Sequence, residues 1–347
     1  MEKQAYFFLI AIFSLITIGI ETAQVSHHST HTHGSLKLFA FGDSYADTGN
    51  WDKNSGSWLE PYGFTFPGKP SGRFSDGRVL TDYIASFLGN QTPLPYMWLK
   101  HSNKRQAESG MNFAHGGTGV FDTWVKGPNM TTQIDQLKQL LQQNVYTKLD
   151  LQSSVALVSA SGNDYGFYLQ YKNGTLKDMP AFTKEVIKQL AKNLKRIRDL
   201  GVGKIVVLSI GPLGCLPEYT VKLSYQDCDK IFNSGSKFHN HLLRLAVDNL
   251  NKKSMKSDFI ILDAYSTFMW AMDRLRHKAG NSSEYKNPLM PCLTKKDSYG
   301  VEEEERKGYV ICKHPEMTFF WDLVHPSQNG WHSVYLALKP TLYRLYD

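Results

Sequence analysis

Four short apolar runs constrain this chain most: residues 36–41 (LKLFAF), 155–159 (VALVS), 204–210 (KIVVLSI) and 259–262 (FIIL). A strand with one wet face alternates polar and apolar residues. Runs that stay apolar at nearly every position belong to strands buried on both faces. Helical periodicity fills the intervals. Residues 132–143 place Ile134, Leu137, Leu140 and Leu141 on one face, with Thr131 or Thr132 as N-cap. Residues 182–200 carry a stripe of Phe182, Val186, Leu190, Leu194, Ile197 and Leu200, and Gly201 stops it. Residues 229–250 read as a helix, and 328–338 as a last helix ended by Pro340. The stretch 45–110, rich in Gly, Pro, Ser and aromatics, reads as loops with one helix near 79–88. Strands alternating with helices predict an α/β fold whose mostly parallel sheet is covered on both faces.

The first 34 residues stand apart from that pattern. Lys3 precedes a continuously apolar stretch at 6–20 (YFFLIAIFSLITIGI), and Thr22 and Ala23 follow. This is the pattern of a secretory signal peptide over residues 1–23, too short for a comfortable membrane span. The alternative is an uncleaved anchor, and Glu21 leaves the cleavage point approximate. Residues 24–34 hold His27, His28, His31 and His33. Such a cluster can bind metal, but at a mature terminus it reads as a flexible tail. Residues 35–347 then form a single domain, with no later run long enough to span a bilayer.

Export makes two further features meaningful. Sequons stand at Asn90, Asn129, Asn173 and Asn281, each an exposed loop if glycosylated. Four cysteines allow three pairings, and Cys215–Cys228 with Cys292–Cys312 is favoured because each closes a local loop. Closing a loop of about 15 residues is worth about 3 kcal/mol in the chain-entropy picture. The spacing is not that of a zinc site. The formal charge of +7 is scattered, without the aromatic-interleaved basic stripe of a nucleic-acid binder. In an exported chain it implies weak attraction to acidic polysaccharide or membrane surfaces. The acidic run Glu302–Glu305 reads as a solvated loop within the Cys292–Cys312 bridge.

Chemistry-bearing residues cluster at the ends of the predicted strands, where α/β sheets place their sites. Ser44 follows the first strand in Phe41-Gly42-Asp43-Ser44. A serine on such a turn is exposed and rigidly held, as a nucleophile must be, though most serines there merely cap a helix. In Asp322-Leu-Val-His325-Pro, an aspartate three residues before a histidine can hold the imidazole in one tautomer. Pro326 keeps that pair out of a helix. Asn112-Phe-Ala-His115-Gly116-Gly117 offers backbone N–H groups that can approach an oxyanion, or is an ordinary turn. Ser161-Gly162-Asn163-Asp164 offers a side-chain amide after the second strand, or an Asx turn. His115 reads as a loop residue without a catalytic role.

Taken in this order, the four blocks resemble those of the GDSL (SGNH) hydrolases. Gly211-Pro-Leu-Gly-Cys215-Leu-Pro217, Phe320-Trp321-Asp322 and SGRFSDGRVL at 71–80 are similar to the plant branch of that family, and the likeness runs over residues 36–345. The resemblance implies a flavodoxin-like three-layer α/β/α fold. It implies Ser44 as nucleophile, His325 as general base and then acid, and Asp322 as the group that orients it. It implies an oxyanion hole of the Ser44 and Gly117 backbone N–H groups and the Asn163 amide. Tyr45 departs from the leucine of the family name and has no chemical role assigned. Gly42-Asp-Ser44-Tyr-Ala46 lacks the last glycine of the α/β-hydrolase elbow.

The expectation is a secreted serine hydrolase that cleaves carboxylic esters through an acyl-enzyme and requires no cofactor or metal. Its compartment is extracellular, in the apoplast or cell wall, with the vacuole as an alternative. Its partner is a small-molecule, lipid or polysaccharide ester; acyl length and oligomeric state are not readable. Acyl transfer to an alcohol would use the same residues. A non-catalytic binder on this scaffold is disfavoured because the full set is intact. The aromatics of 51–62 and 96–98 are candidates for a substrate pocket.

Overall fold

A computed structural model describes residues 36–54, 56–160, 162–255, 258–278, 287–295 and 308–347. The leader at 1–23, the His-rich tail at 24–34, Asn281, Ser161 and the acidic run at 302–305 lie outside the described residues.

The chain runs β1 (Lys37–Gly42), α1 (Leu80–Phe87), β2 (Leu94–Pro95), β3 (Gly110–Asn112), α2 (Met130–Gln142), α3 (Lys148–Gln152), β4 (Ser154–Ser159), α4 (Asn163–Tyr171) and α5 (Met179–Asp199). It continues through β5 (Lys204–Leu208), α6 (Pro217–Thr220), α7 (Lys230–Ser254), β6 (Phe259–Leu262), α8 (Ala264–Lys278), β7 (Leu293–Lys295), β8 (Tyr309–Ile311) and α9 (Gln328–Leu342). Six strands form one parallel sheet in the order β2-β3-β1-β4-β5-β6. Setting aside the two-residue edge strand β2, this is the flavodoxin-like order. Strands β7 and β8 pair separately as an antiparallel ribbon.

Alternate residues of each strand feed opposite cores, as the period of two dictates. Leu38, Ala40, Leu157, Val206 and Leu262 face a layer built on α1, α8 and α9, with Trp331 fully buried in it. Phe39, Phe41, Val158, Val207 and Phe259 face α2, α5 and α7. The result is the three-layer α/β/α arrangement expected of strands buried on both faces.

The four apolar runs are β1, β4, β5 and β6. The sheet has two strands more: β2 lies inside the stretch read as loops, and β3 begins at its last residue. Helix α2 begins earlier than expected: Asn129, not a threonine, is its N-cap, accepting from the Thr132 N–H at 3.0 Å. Pro340 does not end α9, which continues to Leu342. Pro340 is exposed, and so is Leu336, whose carbonyl loses its helical donor; both sit on the solvent side, where the loss is least costly. Cys215–Cys228 and Cys292–Cys312 are the bonded pairs, as favoured. Among the described residues no helix is long and apolar enough to cross a membrane.

A buried ion pair fixes α1 beneath the loop that follows β1. The Arg73 guanidinium donates to Asp82 at 2.9 and 2.8 Å, and Asp82 also accepts from the Val79 N–H and the Thr92 hydroxyl. Burial alone would raise the Asp82 pKa, but Arg73 and these hydrogen bonds outweigh it and hold the carboxyl below its ordinary 3.8. The pair's stabilisation is therefore complete above pH 3.8 and is lost as pH falls through the lower folded value. Asp82→Asn should cost about 3–5 kcal/mol in urea unfolding at neutral pH, with the gap from wild type closing below that pH. A loss under about 1 kcal/mol would place the pair among surface bridges of little weight.

Candidate active site

The carboxyl ends of β3, β1 and β4 lie side by side, and Gly117, Ser44 and Asn163 follow them in the chain. The strand order reverses at β1, so the crevice there is open to a ligand. Gly42 closes β1 with φ +128°, and a Cβ there would meet the Ser159 carbonyl oxygen at 1.7 Å, so only glycine lets β1 approach β4 this closely. The Gln133 side chain of α2 holds the same residue, accepting from the Gly42 N–H at 2.7 Å and donating to its carbonyl at 2.9 Å. The turn beyond is tied by the Asp43 carbonyl, which accepts from the N–H groups of Ala46 and Asp47. Ser44 is thus presented at the top of a doubly clamped strand.

His325 reaches it from the loop before α9. Its Nε2 lies 2.8 Å from Ser44 Oγ, and its Nδ1 lies 2.8 and 3.0 Å from the two Asp322 carboxylate oxygens. Asp322 Oδ1 also accepts from the backbone N–H groups of Val324 and His325, which folds the loop into a tight turn. Trp321 N–H donates to the His325 carbonyl at 2.8 Å and closes that turn. Burial would raise the Asp322 pKa, yet the adjacent His325 and these hydrogen bonds hold it below 3.8, so the carboxylate is ionised at neutral pH. The Phe74 ring covers the imidazole at 5.0 Å between centroids.

The potential oxyanion donors line the same cavity as Ser44. Gly117 has φ +71°, and neither its N–H nor that of Ser44 meets an acceptor among the described residues. The neighbouring Gly116 N–H is engaged by the buried Asp47 carboxylate at 2.9 Å, so of the glycine pair only the second offers its donor. Asn163 is the first residue of α4, and Gly162 takes the cap position, which removes the Asx-turn alternative. One Asn163 Nδ2 hydrogen goes to the Thr118 carbonyl at 2.9 Å, leaving the second for a ligand. Asp164 binds the segment after Gly117 to α4 by accepting from Val120 and Phe121, both at 3.0 Å; burial pushes its pKa up to about 6 despite those bonds. His115 packs on Trp51 and bonds the Gly116 carbonyl, as a loop residue would.

Residues 38–338 match the family described as GDSL-like Lipase/Acylhydrolase. The chain belongs to the GDSL lipase/acylhydrolase family. Its plant character is equally direct. The GDSL esterase/lipase At3g09930 of Arabidopsis thaliana is 46% identical over 95% of each chain. At5g03610, of the same name and organism, is 46% identical over 93% of this chain and 91% of its own. A solved acetylxylan esterase from Geobacillus stearothermophilus is 15% identical over 88% of this chain and 94% of that one, with a TM-score of 0.40; at that distance it adds nothing to the assignment. This GDSL hydrolase is a carboxylic ester hydrolase.

In this GDSL hydrolase Ser44, Gly117, Asn163 and His325 border a cavity of about 590 Å³. Among the described residues of the two aromatic stretches singled out from the sequence, only Trp51 reaches its wall. Tyr96 packs on Phe113, and Trp58 and Trp98 pack near each other at a tilt instead. About half of the wall comes from α4, the start of α5 and the first turns of α7, for example Leu169, Met179 and Phe232. Two supporting residues carry no readable signal. Tyr62 donates its hydroxyl to Asp322 Oδ2 at 2.7 Å from a loop remote in sequence, and burial, then Asp322, push its pKa far up, so it stays a donor. Tyr45, which replaces the leucine of the family name, donates to the Val324 carbonyl at 2.7 Å and fastens the Ser44 turn to the histidine loop.

Proposed function

We propose that the protein is an exported serine hydrolase that cleaves carboxylic esters through an acyl-enzyme on Ser44. The observation that carries this reading is the hydrogen-bonded relay Ser44–His325–Asp322 at the edge of the 590 Å³ cavity. His325 Nε2 removes the Ser44 proton as Oγ attacks the ester carbonyl. The Ser44 and Gly117 N–H groups and the Asn163 amide receive the oxyanion. His325 then protonates the departing alcohol, and water repeats the sequence to release the acid. Asp322 keeps the Nδ1 proton in place throughout, with Tyr62 steadying the carboxylate.

The test is nitrophenolate release from nitrophenyl esters of graded acyl length, with the acyl product identified. Free acid as the main product supports hydrolysis. Acyl transferred chiefly to an added alcohol would make the enzyme a transferase on the same residues. A folded protein that releases nitrophenolate from no ester would overturn the proposal. Asn163→Ala should lower kcat by about 10²–10³ without a change in thermal unfolding. A near-normal kcat would remove Asn163 from the oxyanion hole.

The apolar leader at 6–20 and the two disulfides support export, since disulfides persist in oxidising compartments. On this reading residues 1–23 are removed and 35–347 form the catalytic domain. Of the described sequons, Asn173 is the exposed one, at φ +53° just beyond α4, and is the favoured glycan site. Asn90 donates to the Leu36 carbonyl and Asn129 caps α2, so both are partly engaged.

A further inference from the structure

The cavity wall carries two buried polar side chains that the proposed chemistry does not use. Tyr165, on α4 two residues beyond Asn163, is 7% exposed, and His239, on α7, is 1% exposed. The Tyr165 hydroxyl and His239 Nδ1 are 2.6 Å apart. Other buried polar groups on this part of the wall are satisfied internally: the Thr183 and Ser236 hydroxyls donate to the Met179 and Phe232 carbonyls. His239 Nε2 differs. It has no hydrogen-bond partner among the described residues, and it is not among the unpartnered atoms sealed inside protein, so it borders the cavity.

The proton positions follow from the pair itself. Burial pushes the His239 pKa down to about 3, so the ring is neutral and carries one N–H. Burial pushes the Tyr165 hydroxyl up, so it remains a donor, and a buried phenol needs an acceptor. Thr183 also approaches this hydroxyl, with its own proton committed to the Met179 carbonyl; assigning His239 Nδ1, 2.6 Å away, as the acceptor places the imidazole proton on Nε2. A single N–H therefore faces a cavity otherwise walled at this end by residues such as Leu169, Leu213 and Phe232.

We propose that Tyr165 and His239 form a polar subsite that selects esters whose cavity-seated chain carries a hydrogen-bond-accepting oxygen remote from the scissile carbonyl. The ligand class is an oxygenated acyl chain, bearing an ether, oxo or hydroxyl group, rather than a plain hydrocarbon chain. A plain chain would leave the Nε2–H without a partner in a dry wall, which is the penalty that gives polar pockets their discrimination. This subsite rests on the catalytic reading above, because it assumes that the substrate occupying the cavity is an ester attacked by Ser44.

The test uses nitrophenyl esters of one chain length in which a single ether oxygen replaces successive methylenes, from the fourth carbon outward. These isomers are nearly equal in size and polarity, so a flat wall treats them alike. The subsite predicts one preferred position, with kcat/KM roughly tenfold above the others, the worth of one neutral hydrogen bond. His239→Phe should flatten the series. Tyr165→Phe should weaken the peak as well, by releasing the tautomer, and it is the variant to read if His239→Phe does not fold. A flat series in the wild type, or a peak that survives both substitutions, overturns the subsite while leaving ester hydrolysis intact. Failure to hydrolyse any of these esters, together with failure on plain esters, overturns the catalytic reading and the subsite with it.

Discussion

Replacing Ser44 with alanine is expected to lower kcat on a nitrophenyl ester by about 10⁴–10⁶, as loss of a triad nucleophile does elsewhere. Ser44 Oγ is the atom that His325 Nε2 meets at 2.8 Å, and no other hydroxyl bonds that nitrogen among the described residues. The residual rate would come from the proposed oxyanion donors and the cavity, which the substitution leaves in place. KM should change little for the same reason. The fold should not suffer either: the clamps on this turn are the Asp43 carbonyl, the Gln133 side chain and the glycine at 42, none of which involves the serine hydroxyl. A variant with an unchanged melting temperature and a kcat within tenfold of wild type would assign the chemistry to another residue.

The second large effect is expected at Asp322. Asp322→Asn preserves volume and one acceptor oxygen for the Val324 and His325 N–H groups. It replaces the other oxygen, which receives the Tyr62 hydroxyl and His325 Nδ1, with an NH₂ donor. The imidazole then keeps its proton on Nε2, the position that must be empty to accept the serine proton. A loss of about 10⁴ in kcat follows, the size found where an aspartate-to-asparagine change imposes the wrong tautomer. The wild-type pH profile should carry the matching sign. Asp322 is held below 3.8, so its contribution is lost only as pH falls through that lower value. A kcat loss below tenfold in Asp322→Asn would show that something other than the carboxylate orients the ring.

What the sequence discloses is set by how local each signal is. The strands β1, β4, β5 and β6 were legible because burial on both faces forces unbroken apolar runs. Strands β2 and β3 were not: two and three residues long, they have no periodicity of their own and exist through pairing that ends on β1. Pro340 misled because its cost depends on which side of α9 faces water, a tertiary fact. At the site, Asp322 and His325 announce themselves through a three-residue spacing that one turn can close. The proposed roles of Gly117 and Asn163 rest on the whole ordered set of motifs, since a glycine pair or an Asn after a strand is common. Tyr62, Tyr45 and Gln133 reach the site across 260, 279 and 91 residues of chain and left no local trace. His239 looks from sequence like any helix residue on a buried face; only the cavity on its Nε2 side gives it the proposed role.

The central claim is that Ser44 forms a covalent bond with substrate under the control of His325. The most direct measurement is peptide mass spectrometry of the purified protein after reaction with a fluorophosphonate ester, with residual esterase activity followed in parallel. The account predicts one phosphonyl group per chain, on the peptide carrying Ser44, rising in step with loss of activity and greatly slowed in His325→Ala. Label on a different residue, or full esterase activity in protein completely labelled at Ser44, would contradict it.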